Sequence, residues 1–155
     1  LAHQLKQERV DALLTYWHYA ARLEAEGHQV LMTGADLLQQ LEVQEKVASI
    51  GYVFADVWAN QQKDAVLAFL DDTQQAKNKL CENGDAWKDI QKLTRAATEQ
   101  ESSLLRQRYC AGRVVKWGKD EKLAAGVIYQ YLRKMSNQRL TGKAEVVEQG
   151  TFWSK

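Results

Sequence analysis

The chain has 155 residues, 45% of them hydrophobic and 26% charged, with a formal net charge of +1. That is long enough to bury a core and too evenly composed for a disordered chain, and no run approaches the ~18 apolar residues of a membrane span. The small total hides an asymmetry: residues 1–100 carry ten Lys/Arg against fifteen Asp/Glu, residues 101–155 eleven against five.

From His3 to Glu26, Leu5, Val10, Leu13, Leu14, Trp17, Ala20 and Ala21 recur at helical spacing with Lys6, Arg9, Asp11 and Arg22 between them. This predicts one amphipathic helix, stopped by Gly27. Thr33 and Asp36 predict a capping box ahead of a helix that buries Leu37, Leu38 and Leu41. The stretch from Val47 to Leu80 is the most hydrophobic; Gly51 interrupts it, leaving either one long helix or a short one followed by a longer one. Asn83-Gly84 marks a turn, and Asp85 is the expected N-cap of a helix running through Trp87, Ile90, Leu93, Ala97, Leu104 and Leu105 to about Tyr109.

Gly112 and Gly118 then mark out a basic connector, and Asp120 is expected to cap a last helix with Leu123, Ala124, Val127, Ile128, Tyr131 and Met135 inward. Beyond Asn137 the pattern fades. Val146-Val147 and Phe152-Trp153 suit a short irregular or β-like arm. No proline occurs where average usage of about 5% would give about eight, so none breaks a helix. The expectation is an all-α fold: a single-domain helical bundle of about five helices over residues 1–155, acidic to residue 100, basic after it, with no linker.

Cys81 and Cys110 both fall on apolar helical faces, which suits either one disulfide in an oxidising compartment or two small unpaired hydrophobes. Leu rather than Met at position 1 implies a processed or trimmed terminus, so the location is either cytoplasmic or, after loss of a signal peptide, periplasmic or secreted. The histidines, His3, His18 and His28, lack the i,i+4 spacing that converges on a metal. Adjacent carboxylates such as Asp71-Asp72 point apart on a helix and make no acid/base dyad. With no Gly-rich phosphate loop, nucleophile elbow or Cys-x-x-Cys, neither an enzymatic activity nor a metal or cofactor is expected.

Trp17, Trp58 and Trp87 lie on inner stripes and are expected in the core, whereas Trp117 and Trp153 stand in irregular segments beside Lys116, Lys119 and Lys155. Ten basic residues between Arg106 and Lys143 are interleaved with Tyr109, Trp117, Tyr129 and Tyr131, a composition that suits phosphate neutralisation and base stacking. Within it, the run from Glu101 through Leu-Arg-Gln-Arg-Tyr109 to Gly112, then Trp117, then Lys122 to Leu132, resembles the helix-turn-helix of sigma-factor-like and phage regulatory proteins. The connector is longer than the usual three- or four-residue turn. The resemblance implies phosphate contacts at Arg133, Lys134 and Arg139 and groove contacts at Tyr129 and Gln130. Separately, the order Thr33-Gly-Ala-Asp-Leu-Leu38, Gly51-Tyr-Val-Phe-Ala-Asp-Val57, Cys81, Gly84 is similar to that of small exported helical immunity partners of type VI secretion effectors, although that family's other cysteines have no counterpart near Leu41 or Ile50. It implies a toxin-binding role.

The leading expectation is a non-enzymatic interaction module that binds a partner protein through its basic, aromatic C-terminal third, at Arg113, Lys116, Trp117, Lys119 and Arg133 first. Nucleic acid is the alternative partner. Pairing of the acidic part of one copy with the basic part of another offers a route to self-association.

Overall fold

The computed structural model describes residues 1–153. Lys155, placed beside Trp153 above, lies outside the described residues. The fold is all-helical, with eight helices and no strand among the described residues: α1 (Ala2–Lys6), α2 (Trp17–Ala25), α3 (Gly34–Gln40), α4 (Asp56–Gln61), α5 (Lys63–Glu82), α6 (Gly84–Thr94), α7 (Glu99–Gly112) and α8 (Lys119–Met135). Residues 140–153 are turns and irregular backbone, not a strand pair.

Eight helices stand where about five were expected, because three apolar runs are each divided in two: residues 3–26, residues 47–80 at Gln62 between α4 and α5, and residues 85–109. The expected first helix ends at Lys6: Glu8 takes φ 54°, its amide bonding Leu5 and that of Arg9 bonding Gln4. This is the Schellman ending, usually given to glycine. The expected Asp85-to-Tyr109 helix breaks at Arg95, φ 54°, and restarts where the Thr98 hydroxyl accepts from the Glu101 amide at 3.1 Å. Caps differ from expectation in two other places. Asn83, not Asp85, caps α6, its Oδ1 accepting from the Asp85 amide at 2.9 Å. Gly118 is the N-cap of α8, which puts Asp120 inside the first turn. The Thr33–Asp36 capping box forms as read.

Contacts divide the chain into two compact units, each made of two separate stretches. The first comprises Leu1–Leu31 and Phe69–Arg113, the second Met32–Ala68 and Val114–Lys155. In the first unit α2 packs on α7 and α6 on α7 around Ala21, Trp87 and Leu105, with Leu80, Ile90, Leu104 and Tyr109 against them. The Trp87 indole N–H donates to the buried Ser102 hydroxyl at 3.1 Å, satisfying both polar groups in the core. Arg22 on α2 pairs with Glu101 on α7 and donates to the Thr94 carbonyl at 2.6 Å and the Arg95 carbonyl at 3.2 Å. Glu101 also accepts from the Ala97 amide at 2.9 Å. Arg108 clasps Glu24 with both arms of its guanidinium, Nε to Oε2 at 2.7 Å. A disulfide joins Cys81 to Cys110 (Cα–Cα 5.7 Å), and Arg106 covers the end of α5, donating to the carbonyls of Leu80 at 3.1 Å and Cys81 at 2.6 Å.

In the second unit Val43, Ala59, Val66 and Ala124 are buried, and the Tyr131 hydroxyl donates to the Leu41 carbonyl at 3.4 Å. Of the tryptophans expected in the core, Trp87 is buried, but Trp17 is 50% and Trp58 51% exposed. Trp17 opens α2 in a run of four aromatics, where its ring meets His18 and Tyr109 rather than closing over an interior. The Trp58 helix, α4, has six residues and buries only Ala59.

Candidate functional site

The expected binding residues do not share one role. Arg113 ends the first unit, where its Nη1 donates to the Asn78 side chain at 2.9 Å; the other eight lie in the second unit. There the sequence from Val114 onward supplies a connector, α8 and the irregular residues 140–153.

Four of the eight are spent inside the fold. The Tyr129 hydroxyl lies 3.2 Å from the Thr141 carbonyl and 3.1 Å from that of Ala144; the Gln130 amide donates to the Glu145 carbonyl at 2.6 Å. Arg133 donates to the Gly142 and Ala144 carbonyls at 3.3 and 2.8 Å. Arg139 bonds the Ser136 carbonyl at 3.2 Å, at the end of α8. Residues read for groove and phosphate contacts therefore serve the chain's own backbone, which lacks a helical or strand partner there and must be satisfied by side chains.

Lys116 lies 3.4 Å from Asp120 and 3.6 Å from Glu121, and its ammonium is held above the ordinary lysine value, first by the Asp120 hydrogen bond and then by the charge of Glu121. Glu121 accepts from the Gly118 amide at 2.6 Å, which pulls its carboxyl below the usual glutamate range. This is half of a capping box, the half a glycine N-cap allows. Of the ten cations from Arg106 to Lys143, the arginines and Lys116 are all engaged, whereas the side chains of Lys119, Lys122, Lys134 and Lys143 make no ion pair or hydrogen bond among the described residues.

α8 and the C-terminal residues line an open, largely apolar cleft of about 370 Å³, walled by Ala125, Ile128, Leu132, Val147 and Phe152 together with Val47, with Glu148 as its charged residue. A neighbouring cleft of about 350 Å³ is bounded by Lys122, Leu123 and Gly126. Leu123 is 60% exposed and Met135 78%. Trp117 stands edge-on to Phe152 with ring centroids 5.2 Å apart, so it packs on the C-terminal residues. Leu123, Val127 and Met135, expected on the inner side of α8, are instead exposed, which the apolar periodicity of the helix does not reveal.

No group of three or more His, Cys, Asp or Glu among the described residues is placed to hold a metal ion, and no described helix is long and apolar enough to cross a membrane. No family model matches the chain, and no curated protein matches it significantly. The helix-turn-helix resemblance would use α7 and α8, which belong to different compact units.

Proposed function

We propose that the protein is a non-enzymatic helical module that binds a partner protein through its C-terminal third. One observation carries the reading: Leu123, Val127 and Met135 of α8 are exposed, and two open clefts lie against the same helix, one apolar and the other bounded by Lys122 and Leu123. Contiguous exposed apolar surface rimmed by polar residues is the usual mark of a protein contact. Nucleic acid is the weaker alternative, because Tyr129, Gln130 and Arg133 already bond the chain's own carbonyls. The Cys81–Cys110 bond supports an oxidising, periplasmic or extracellular setting, which is compatible with an exported immunity-type role.

The test compares capture of proteins from the source cell by the intact chain and by the Lys119→Glu/Leu123→Asp variant, with oligonucleotide titrations at low and moderate salt alongside. A protein retained by the intact chain and lost by the variant supports the reading. Equal capture by both overturns the surface; steeply salt-dependent oligonucleotide binding without protein capture moves nucleic acid into first place.

A further inference from the structure

Of the four asparagines, Asn60, Asn78, Asn83 and Asn137, Asn83 alone precedes a glycine. That pairing carries a reaction the chain can perform on itself. The Gly84 backbone nitrogen attacks Cγ of Asn83; a C–N bond forms, the bond to the side-chain nitrogen breaks, and the amide proton leaves with that nitrogen as ammonia. Water then opens the five-membered imide at either carbonyl, giving aspartate or isoaspartate. Both reacting groups are tethered in adjacent residues, which makes ring closure intramolecular. Gly84 has no Cβ to crowd its nitrogen, and its amide, at the first helical position, makes no hydrogen bond among the described residues. Asn83 is exposed to the water that the second step consumes.

The folded corner holds those parts out of line. Closure requires the Gly84 nitrogen to swing into line with Cβ, but Asn83 stands at ψ 117°, roughly 120° of rotation away. The Asn83 Oδ1 is held by the Asp85 amide at 2.9 Å, and the Asn83 amide by the Lys79 carbonyl at 2.9 Å. Helix α7 fastens the same corner: Arg106 donates to the carbonyls of Leu80 and Cys81, and Cys110 is bonded to Cys81, just ahead of Asn83. We infer that Asn83–Gly84 is a self-modification site kept closed by the α6 cap, and that release of the α7 ties, by reduction of the disulfide or loss of the Arg106 bonds, opens it. The two products differ in their effect on the fold. Aspartate caps a helix as well as asparagine does. Isoaspartate routes the main chain through Cβ and lengthens it by one carbon at the start of α6, the helix that places Trp87 in the core.

The experiment incubates the full oxidised chain at mildly alkaline pH and follows Asn83 by peptide mapping. A sample reduced by a small dithiol, itself oxidised to a cyclic disulfide, and a urea-unfolded sample run alongside. Conversion in the unfolded chain is expected to be at least about tenfold faster than in the oxidised folded chain, with the reduced chain between them. Arg106→Ala, which cuts the carbonyl ties and leaves the disulfide, is expected to speed conversion several-fold. Gly84→Ala is the chemical control: an added Cβ meets Arg106 Nη1 at an ordinary 3.7 Å, and conversion of the unfolded chain is expected to slow several-fold.

An Asn83 that stays intact even in the unfolded chain would remove the site. Equal rates in the oxidised folded and unfolded chains would overturn the cap as a gate. Reduced and Arg106→Ala chains that convert no faster than the oxidised wild type would overturn the role given to α7; circular dichroism shows whether each remains helical, and if reduction unfolds the chain, Arg106→Ala decides.

Discussion

Glu121 shows how a single side chain is diverted from charge to structure. It is buried at the first turn of α8, and its carboxylate covers the Gly118 amide that a glycine N-cap cannot serve with a side chain of its own. Because that bond lowers the folded-state pKa, the stabilisation is complete above the unfolded glutamate value of about 4.3 and is lost as pH falls through the lower folded value. Asp36 behaves alike, held low by the Thr33 hydroxyl and then by the Thr33 amide. Urea midpoints measured between pH 6 and pH 2.5 are therefore expected to fall less steeply for Glu121→Gln than for the wild type. Identical pH slopes would show that the Gly118 contact adds nothing. The arginines tell a parallel story. As letters in a sequence, Arg106, Arg108 and Arg113 count as positive charge available to a partner; in the fold each guanidinium is aimed at Leu80 and Cys81, Glu24 or Asn78. Composition records a charge but not the carbonyl or carboxylate tens of residues away that consumes it.

At the scale of elements, the class and several boundaries were legible because local chemistry sets them: Thr33 with Asp36, Gly27 with φ 97°, and the turn at Asn83-Gly84. The number of helices was not. Besides Gly27, the endings at Glu8, Glu42 and Asn137 use the Schellman pattern with φ between 48° and 61°. No glycine or proline advertises those three stops. A non-glycine residue there bears a left-handed backbone costing roughly 1–2 kcal/mol, offset in a glycine by the larger freedom it loses on folding. Glu42→Gly, at the end of α3, is accordingly expected to raise stability by about 0.5–1 kcal/mol in urea denaturation; a decrease would show that the Glu42 side chain contributes more than its backbone costs. The α6–α7 break carries a local signal, since Thr98 followed three residues later by Glu101 is a capping signature inside an apolar run. The carboxylate that would have completed the box went instead to Arg22 and the Ala97 amide.

For the whole molecule, the charge asymmetry along the sequence does not survive folding. The first unit carries eleven basic and eleven acidic residues, the second ten and nine, so acidic and basic stretches are combined within each. The candidate surface owes its positive character to the few lysines that this cancellation leaves unpaired. The first unit contains a covalent cross-link, the disulfide, which closes a loop of 29 residues of separation. Replacing Cys81 and Cys110 together by serine is expected to cost about 3–4 kcal/mol by loop-closure entropy. Calorimetry of the oxidised wild type and the double variant measures it, and a loss below about 1 kcal/mol would mean that residual structure already restricts the unfolded chain without the cross-link.

The way the two units share the chain bears on how it is made. Each is completed only after the chain has left it and returned, since Leu1–Leu31 waits for Phe69–Arg113, and Met32–Ala68 waits for the residues from Val114 onward. During vectorial synthesis α2 therefore emerges with its inward face uncovered well before α7, the helix on which it packs. A contiguous fragment that keeps all of one unit therefore carries a piece of the other with it, residues 32–68 inside the first and residues 69–113 inside the second.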